Sequence, residues 1–213
     1  MPKPKPSLEC PGWTDAAKHL AKSDPVLKKI IAHIGDCMLA PRDDHFAALC
    51  QSIINQQIST AAGRTINARF RANFRGERPT PTALLKLDDA TLRAAGLSRQ
   101  KVVYMRSLAE HFADRKLPAR KLAGMTDEEI IAALIPIKGI GRWTVEMFLI
   151  FLMNRPDVLP VDDLGVRKAV QLAYGLKEMP TPKVLREMAE PWRPYRSIAT
   201  WYLWRSIAKP KPA

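Results

Sequence analysis

Cysteine is scarce in this chain, and its placement excludes two classes of small protein. The only cysteines are Cys10, Cys37 and Cys50, an odd number without a Cys-x-x-Cys pair. Such a set provides neither a disulfide framework nor the ligands of a structural zinc site. The same scarcity favours a reducing, intracellular compartment, and we interpret Cys37 and Cys50 as buried apolar side chains.

Several other signals are missing, and each absence removes a function class. No apolar run reaches the ~18 residues of a membrane span, so we expect no membrane partner. The first six residues alternate Pro and Lys after Met1, without the apolar core of a secretory signal. No Walker loop or dinucleotide fingerprint occurs, and a catalytic zinc is disfavoured because the histidines lack metal-site spacing. These histidines are His19, His33, His45 and His111.

Charge is the strongest property that the composition does show. Lys and Arg number 34 against 21 Asp and Glu, which gives a formal net charge of +13. Such an excess favours a polyanionic partner, because each phosphate contact releases condensed counterions. Nucleic acid is therefore the first partner to consider, although net charge says nothing about the fold.

The pattern between the two ends of the chain is helical almost throughout. Asp24 followed by Pro25 predicts a helix start, and Thr126 with Glu129 predicts a capping box for a helix to about Leu134. Period-2 strands are absent, so the sequence predicts an all-α fold with short connections. Further helices are predicted over about 60–74, 98–112, 142–153 and 164–174, with two more after Thr181 and Pro191.

A glycine hairpin, Ile137–Gly141, precedes the predicted helix at Arg142. Gly139 and Gly141 permit positive φ and a close approach by another backbone. Successive N–H groups that lead into a helix start can bind an anion, and Lys138 and Arg142 place positive charge beside them. A plain helix–helix turn is the alternative interpretation, since glycine commonly ends helices.

Two acids, Asp162 and Asp163, stand together before the next apolar segment. Asp in this position is most often a helix cap, but two in succession allow one to cap while the other faces a cleft. The preceding apolar run, Phe148–Leu152, is predicted to be buried and to hold the turn rigidly.

Amides and aromatic rings complete the candidate residues. The segment Gln51–Ser59 carries Gln56 and Gln57 beside an apolar helix face, where amides either read bases or simply face solvent. Trp143 and Met147 are four residues apart and share one helix face. We interpret Trp192 and Trp201 as core residues, whereas Trp204 can also stack a base.

Taken in order, four segments resemble the helix-hairpin-helix (HhH-GPD) DNA glycosylases and, within them, the 3-methyladenine DNA glycosylase II family. The matching segments are Ile53–Ser59, Leu97–Lys101, the hairpin with Trp143, Thr144 and the following acidic turn, and Trp192–Trp204. The resemblance implies two helical lobes flanking an active-site cleft, without a β-domain. We assign 9–42 with 156–208 to a terminal lobe and 43–155 to a bundle carrying the hairpin. The composition of the two ends, 1–8 and 209–213, indicates Lys/Pro-rich tails.

The resemblance also implies roles for particular residues. Asp163, not Asp162, matches the catalytic aspartate, and Gln57 matches the wedge that enters the duplex. Trp143 stands where bifunctional members carry a Schiff-base lysine, which implies base removal without AP-lyase activity. The implied base pocket consists of Trp143, Met147 and Trp204. The implied DNA-binding residues are Gln56, Gln57, Lys138, Gly139, Gly141, Arg142 and Thr144.

The expected activity is therefore hydrolysis of the N-glycosidic bond of alkylated purines, of the 3-methyladenine and 7-methylguanine type, after base flipping. The alternatives are a glycosylase for uracil, hypoxanthine or an oxidised base, and a non-enzymatic DNA-binding module. No cofactor is required, and an iron–sulfur cluster is not expected because no cysteine follows Cys50. The family's hairpin binds Na⁺ or K⁺ through backbone carbonyls, which correspond to Ile135, Ile137 and Ile140. The implied partner is damaged double-stranded DNA, bound by an intracellular monomer. In a bacterium, the corresponding location is the cytoplasm or nucleoid.

Overall fold

The computed structural model describes residues 12–42, 44–113 and 122–208, and every regular element in these ranges is helical. None of the helices in these ranges is long and apolar enough to cross a membrane. The α-helices are α1 (Thr14–Ser23), α2 (Pro25–Ile34), α3 (His45–Asn55), α4 (Thr60–Arg71), α5 (Pro81–Lys86), α6 (Asp89–Ala94), α7 (Arg99–Ala113), α8 (Asp127–Leu134), α9 (Arg142–Phe151), α10 (Leu164–Ala173), α11 (Pro182–Met188) and α12 (Arg196–Ile207). Single 3₁₀ turns occur at Arg75–Glu77 and Glu190–Trp192.

The chain divides into two compact units. The terminal unit comprises the described residues of Met1–Arg42 and Leu149–Ala213, and the central unit comprises those of Asp43–Phe148. Helix α9 begins in the central unit and ends in the terminal unit. The two Lys/Pro-rich tails predicted from the sequence, together with Cys10, lie outside the described residues.

A buried carboxylate organises the terminal unit. Asp24 Oδ1 accepts the backbone N–H groups of Val26, at 2.8 Å, and Leu27, at 3.0 Å, and so caps α2. Its Oδ2 accepts the indole N–H of Trp192 at 2.9 Å and the hydroxyl of Tyr174. Because a buried charge is tolerated only with partners, this arrangement fixes α2 against the segment around Trp192. The predicted cap at Asp24 is confirmed.

Helix α7 is the centre of the central unit and packs against α3, α5 and α6. Its buried Met105 and Leu108 belong to an apolar core that also includes Leu84 and Leu92. The capping box at the start of α8 is present, because the Thr126 N–H donates to Glu129 Oε2 at 2.7 Å and the Glu129 N–H donates to Thr126 Oγ1 at 3.3 Å. This prediction is also confirmed.

Some predicted helix limits were wrong. Helix α9 ends at Phe151 instead of Met153, because Asn154 adopts φ 57° and the Arg155 N–H closes the turn onto Leu149 O at 3.0 Å. Helix α4 ends at Arg71, short of the predicted 74.

The helices predicted after Thr181 and Pro191 are both present. The last helix begins at Arg196, because Pro191 lies inside a 3₁₀ turn. Helix α1 was missed, since the residue before it, Trp13, makes no side-chain cap.

Candidate active site

Asp163 is held by two donors that meet on one oxygen. It caps α10, with Oδ1 accepting the Val166 N–H at 2.7 Å, and the same oxygen accepts the Trp204 indole N–H at 2.9 Å. Asp162 is exposed. The expectation that one of the two acids caps the following helix is confirmed for Asp163. The candidate catalytic acid is itself the cap.

Trp204 is fixed on a second side by an aromatic ring. Its indole stacks on Phe151 with ring centroids 5.3 Å apart and an interplanar angle of 21°. Gly165 lies beside the pair, where a Cβ would stand 3.0 Å from Asp163 Oδ1 and 3.2 Å from Trp204 Nε1. The absence of a side chain at residue 165 thus allows the indole to reach the carboxylate.

The first turn of α12 anchors the chain just before the acidic turn. The Ser197 N–H donates to Pro156 O at 2.9 Å, and the Val158 N–H donates to Ser197 Oγ at 2.9 Å. Arg196 Nε binds Asp157 Oδ1 at 2.7 Å. Trp204 lies on the same helix and binds Asp163. Helix α12 therefore contacts both the segment before the acidic turn and the turn itself.

In the central unit, the glycine hairpin joins α8 to α9. Gly139 has φ 81°, whereas Gly141 does not adopt positive φ, so the conformational argument applies to Gly139 alone. Most of the hairpin amides are already used. The Ile137 N–H donates to Leu134 O, the Lys138 N–H to Ser107 Oγ and the Ile140 N–H to Ile137 O.

Because these three N–H groups already have acceptors, the predicted anion site would have to use N–H groups at the end of the hairpin. A Cβ at Gly141 would meet nothing within 4 Å, so another backbone can approach there. The first N–H groups of α9, beginning at Arg142, lack intrahelical acceptors because every helix start does.

Two predicted DNA-binding residues, Arg142 and Thr144, lie at the start of α9. The Arg142 guanidinium binds Glu128 and also Glu146, the latter at 3.2 Å, and the bond to Glu128 raises the pKa of the guanidinium. A phosphate at Arg142 would compete with these two carboxylates. Thr144 is only 5% exposed, so a DNA contact from this residue has to come from its backbone. Lys138 is exposed.

The two candidate amides have different environments. The Gln56 side chain is half-buried, and its Nε2 donates to Gly139 O at 2.9 Å. Gln57 is exposed and adopts φ 57°, a left-handed conformation that is uncommon without glycine. Sequence reasoning did not assign a role to Lys101, whose Nζ donates to Ile54 O at 2.6 Å and Gln56 O at 2.8 Å.

The predicted base-pocket residues are divided between the two units. Trp143, which is 45% exposed, and the half-buried Met147 lie in the part of α9 that belongs to the central unit. Trp204 lies with Asp163 in the terminal unit. Trp192 and Trp201 are buried, which confirms their interpretation as core residues. The structure thus brings Asp163 to Trp204, and Gln56 to the hairpin.

Phe151 corrects one further expectation. The apolar run that contains it was predicted to be buried, and Phe148, Leu149 and Ile150 are buried, but Phe151 is 36% exposed. Its ring is the surface on which Trp204 stacks. Phe151 lies four residues after the half-buried Met147, on the same side of the helix, and so stands at the edge of the buried face.

Backbone carbonyls, not side chains, are the candidate cation ligands. Among the described residues, no group of three or more His, Cys, Asp or Glu could hold a metal ion. At the hairpin, the Ile137 carbonyl accepts the Ile140 N–H at 3.0 Å and retains a second lone pair. Carbonyl oxygens suit hard cations, so this oxygen fits the expected ligand type.

Comparison with known proteins identifies a family whose matched region includes both the hairpin and the acidic turn. Residues 50–194 match the family described as HhH-GPD superfamily base excision DNA repair protein. DNA-3-methyladenine glycosylase 1 of Schizosaccharomyces pombe is 34% identical over 91% of this chain and 87% of its own length. Alkylbase DNA glycosidase-like protein mag2 of the same yeast is 32% identical, over 89% of this chain and 92% of its own length.

Solved structures give the same result at the level of the fold. The S. pombe 3-methyladenine DNA glycosylase Mag1, in complex with abasic DNA, superimposes with a TM-score of 0.81 at 33% identity, covering 91% of this chain and 96% of that one. A DNA-3-methyladenine glycosidase from Bacillus halodurans gives a TM-score of 0.83 at 33% identity, over 92% of this chain and 90% of its own. With the hairpin and the acidic turn both inside the matched region, this chain belongs to the HhH-GPD superfamily of base excision DNA repair proteins.

Proposed function

We propose that the protein is a monofunctional DNA glycosylase that removes alkylated purines, of the 3-methyladenine and 7-methylguanine type, in base excision repair. The observation that carries the proposal is the Asp163 carboxylate, which the Val166 N–H and the Trp204 indole N–H fix at the start of α10. Relatives that span nearly the whole chain are named 3-methyladenine DNA glycosylases, which supports this substrate class.

The proposed reaction is hydrolysis of the bond between the base and the deoxyribose. A purine alkylated at N3 or N7 carries a positive charge and departs as a neutral base, so a strong general acid is not needed. The sugar becomes oxocarbenium-like as the bond breaks. The Asp163 carboxylate stabilises this cation and orients or deprotonates the attacking water, and a preorganised electrostatic partner contributes roughly 3–4 kcal/mol.

The damaged base has to leave the helical stack before it can react, which costs a few kcal/mol. Gln57 fills the space that the base leaves. The N–H groups around Gly141 bind the phosphate backbone of the DNA. The resemblance assigns Trp143, Met147 and Trp204 to the base pocket, where stacking of the base returns ~1–3 kcal/mol. A positively charged base gains an additional cation–π attraction that a normal base lacks.

Trp143 at the position of the Schiff-base lysine is the reason to propose that the strand is left intact. We further propose that the carbonyls of Ile135, Ile137 and Ile140 hold Na⁺ or K⁺, which would rigidify the hairpin without taking part in the chemistry. The protein needs neither an iron–sulfur cluster nor another cofactor. It acts as an intracellular monomer on double-stranded DNA.

The test is Asp163→Asn, with Asp162→Asn as the matched control. Asparagine retains an oxygen that can accept from Val166 and Trp204, so the fold and DNA binding should survive. We expect release of 3-methyladenine and 7-methylguanine from methylated DNA, followed by chromatography, to fall about 100-fold or more in the Asp163 variant. The Asp162 variant should behave as the wild type does.

The result that overturns the catalytic assignment is wild-type release by Asp163→Asn. A panel of duplexes with single uracil, hypoxanthine or oxidised lesions identifies a different substrate if methylated DNA gives no product. Tight binding with no abasic product from any duplex would identify a DNA-binding module instead of an enzyme.

A further inference from the structure

One face of α7 contacts both segments that are proposed to touch DNA. Lys101, Tyr104 and Ser107 are spaced three residues apart and therefore line up along this face. At one end, Lys101 Nζ donates to the carbonyls of Ile54, at 2.6 Å, and Gln56, at 2.8 Å. At the other end, Ser107 Oγ accepts the Lys138 N–H of the hairpin at 3.2 Å.

The middle of this face is occupied by the Tyr104 ring, which lies directly against Gly139. A Cβ on Gly139 would overlap the ring, so the hairpin can pack here only because residue 139 is glycine. Gln100 Nε2 donates to the Tyr104 hydroxyl and orients the ring. The hairpin is thus positioned by α7 through both a ring contact and a hydrogen bond.

A direct link between the two segments completes the arrangement. Gln56 Nε2 donates to Gly139 O at 2.9 Å, across 83 residues of sequence. The Gln56 backbone is held by Lys101 while its side chain is bound to the hairpin. Any displacement of the turn at Gln56 and Gln57 therefore has to break contacts with α7, with the hairpin, or with both.

Lys101 provides a hydrogen-bond donor for a carbonyl in the last turn of α3. The last carbonyls of a helix have no intrahelical donor, and a cation at that end also complements the helix dipole. Directly after them, Gln57 adopts φ 57°, a conformation that persists in a residue other than glycine only when its surroundings enforce it. Partial burial lowers the pKa of the Lys101 ammonium, consistent with its being directed at the carbonyls and away from bulk water.

We propose that Lys101 is a positioning residue for base flipping, which holds the turn at Gln57 in the shape that enters the duplex. The inference rests on the proposed glycosylase function and on Gln57 acting as the wedge. Lys101 touches neither the base nor the sugar in this scheme. Its contribution appears only when the enzyme has to extrude a base that is well paired.

The experiment compares Lys101→Met with the wild type on two duplexes, each with a single 7-methylguanine. In one duplex the lesion faces cytosine, and in the other it faces an abasic site, which makes flipping easier. We expect Lys101→Met to lose roughly tenfold in single-turnover base release on the paired lesion, the rate equivalent of relaxing one strained residue. On the unpaired lesion we expect a loss of about twofold at most.

Three further variants separate positioning from general damage to the protein. Lys86→Met removes an exposed lysine at the end of α5 and should leave both rates unchanged. Lys101→Arg can still donate to two carbonyls and should recover most of the paired-lesion rate. In a Gln57→Ala background, Lys101→Met should cost nothing more, because both changes remove the same function.

The outcomes distinguish the inference from the function on which it rests. If the wild type releases no base from either duplex, the proposed function fails. If the wild type is active and Lys101→Met loses equally on both duplexes, or not at all, the positioning role is wrong. Should Lys101→Met not fold by circular dichroism, Gln56→Leu breaks the link to Gly139 instead, and equal losses on the two duplexes by that variant also overturn the inference.

Discussion

Gly165→Ala adds one methyl group at the contact between Trp204 and Asp163. Residue 165 is the second residue of α10 and does not adopt positive φ, so alanine fits the backbone. The new Cβ would lie 3.0 Å from Asp163 Oδ1 and 3.3 Å from Trp204 Cδ1. Ordinary contacts are about 3.5–4.0 Å, so the indole or the carboxylate has to move by a few tenths of an ångström.

Two opposing terms set the effect of this change on stability. Replacing glycine by alanine within a helix is favourable by up to ~1 kcal/mol. Against this, the displacement weakens the 2.9 Å bond between the indole and the carboxylate. A hydrogen bond to a charged group contributes about 1.5–3 kcal/mol, of which only part is lost. The free energy of unfolding should therefore change by less than about 1 kcal/mol.

The helix preference of alanine offsets part of the stability loss, but it does not offset the effect of the displacement on the rate of base release. A misplacement of about 1 Å can cost 100-fold in rate, so a few tenths of an ångström at Asp163 should slow base release by roughly three- to tenfold. The measurements are single-turnover release of 7-methylguanine and urea denaturation of the same preparations. Leu172→Ala is the control, since it changes an exposed residue in the same helix. Wild-type release by Gly165→Ala would show that the contact does not set the position of the candidate catalytic group.

Two further predictions concern Trp204 and Cys50. Trp204→Phe retains a ring that can stack on Phe151 but loses the N–H that binds Asp163, so base release should fall about tenfold while the stability cost stays within ~1.5–3 kcal/mol. An unchanged rate in the same single-turnover assay would leave stacking as the only role of this residue. Burial raises the pKa of the Cys50 thiol, so Cys50 in the native protein should resist alkylation that modifies it readily in urea. Peptide mass spectrometry measures this, and rapid native labelling at Cys50 would contradict the buried position.

Helix starts could be predicted from the sequence because their chemistry is local. Asp24 before Pro25 and Thr126 with Glu129 both satisfy N–H groups only a few residues away, and both are present as predicted. Helix ends were harder, because a turn such as that at Asn154 depends on the loop that follows. The exposure of Phe151 was missed, since an unbroken apolar run does not identify the residue that faces outward.

The contacts that position the candidate site join distant parts of the sequence. Lys101 reaches carbonyls more than forty residues earlier, and Gln56 binds Gly139 across 83 residues. Neither pairing follows from residue type, because a lysine on a helix is ordinarily a solvated surface charge. The resemblance indicated which segments matter. It did not indicate that Gln56 serves the hairpin through an internal hydrogen bond, or that Arg142 is bound to two glutamates.

The helix-cap and catalytic interpretations of Asp163 depend on the same geometry. A cap requires a short side chain with one oxygen directed at the first N–H groups of its helix, and this requirement already restricts the carboxylate to a narrow range of orientations. Trp204 donates to that same oxygen, so the plane of the carboxylate is defined by donors from both α10 and α12. Because the start of α12 is bonded to the segment before the acidic turn, any change that loosens α12 shifts the cap and the candidate catalytic group together. Stability of this helix start and activity are therefore coupled through one atom, Asp163 Oδ1.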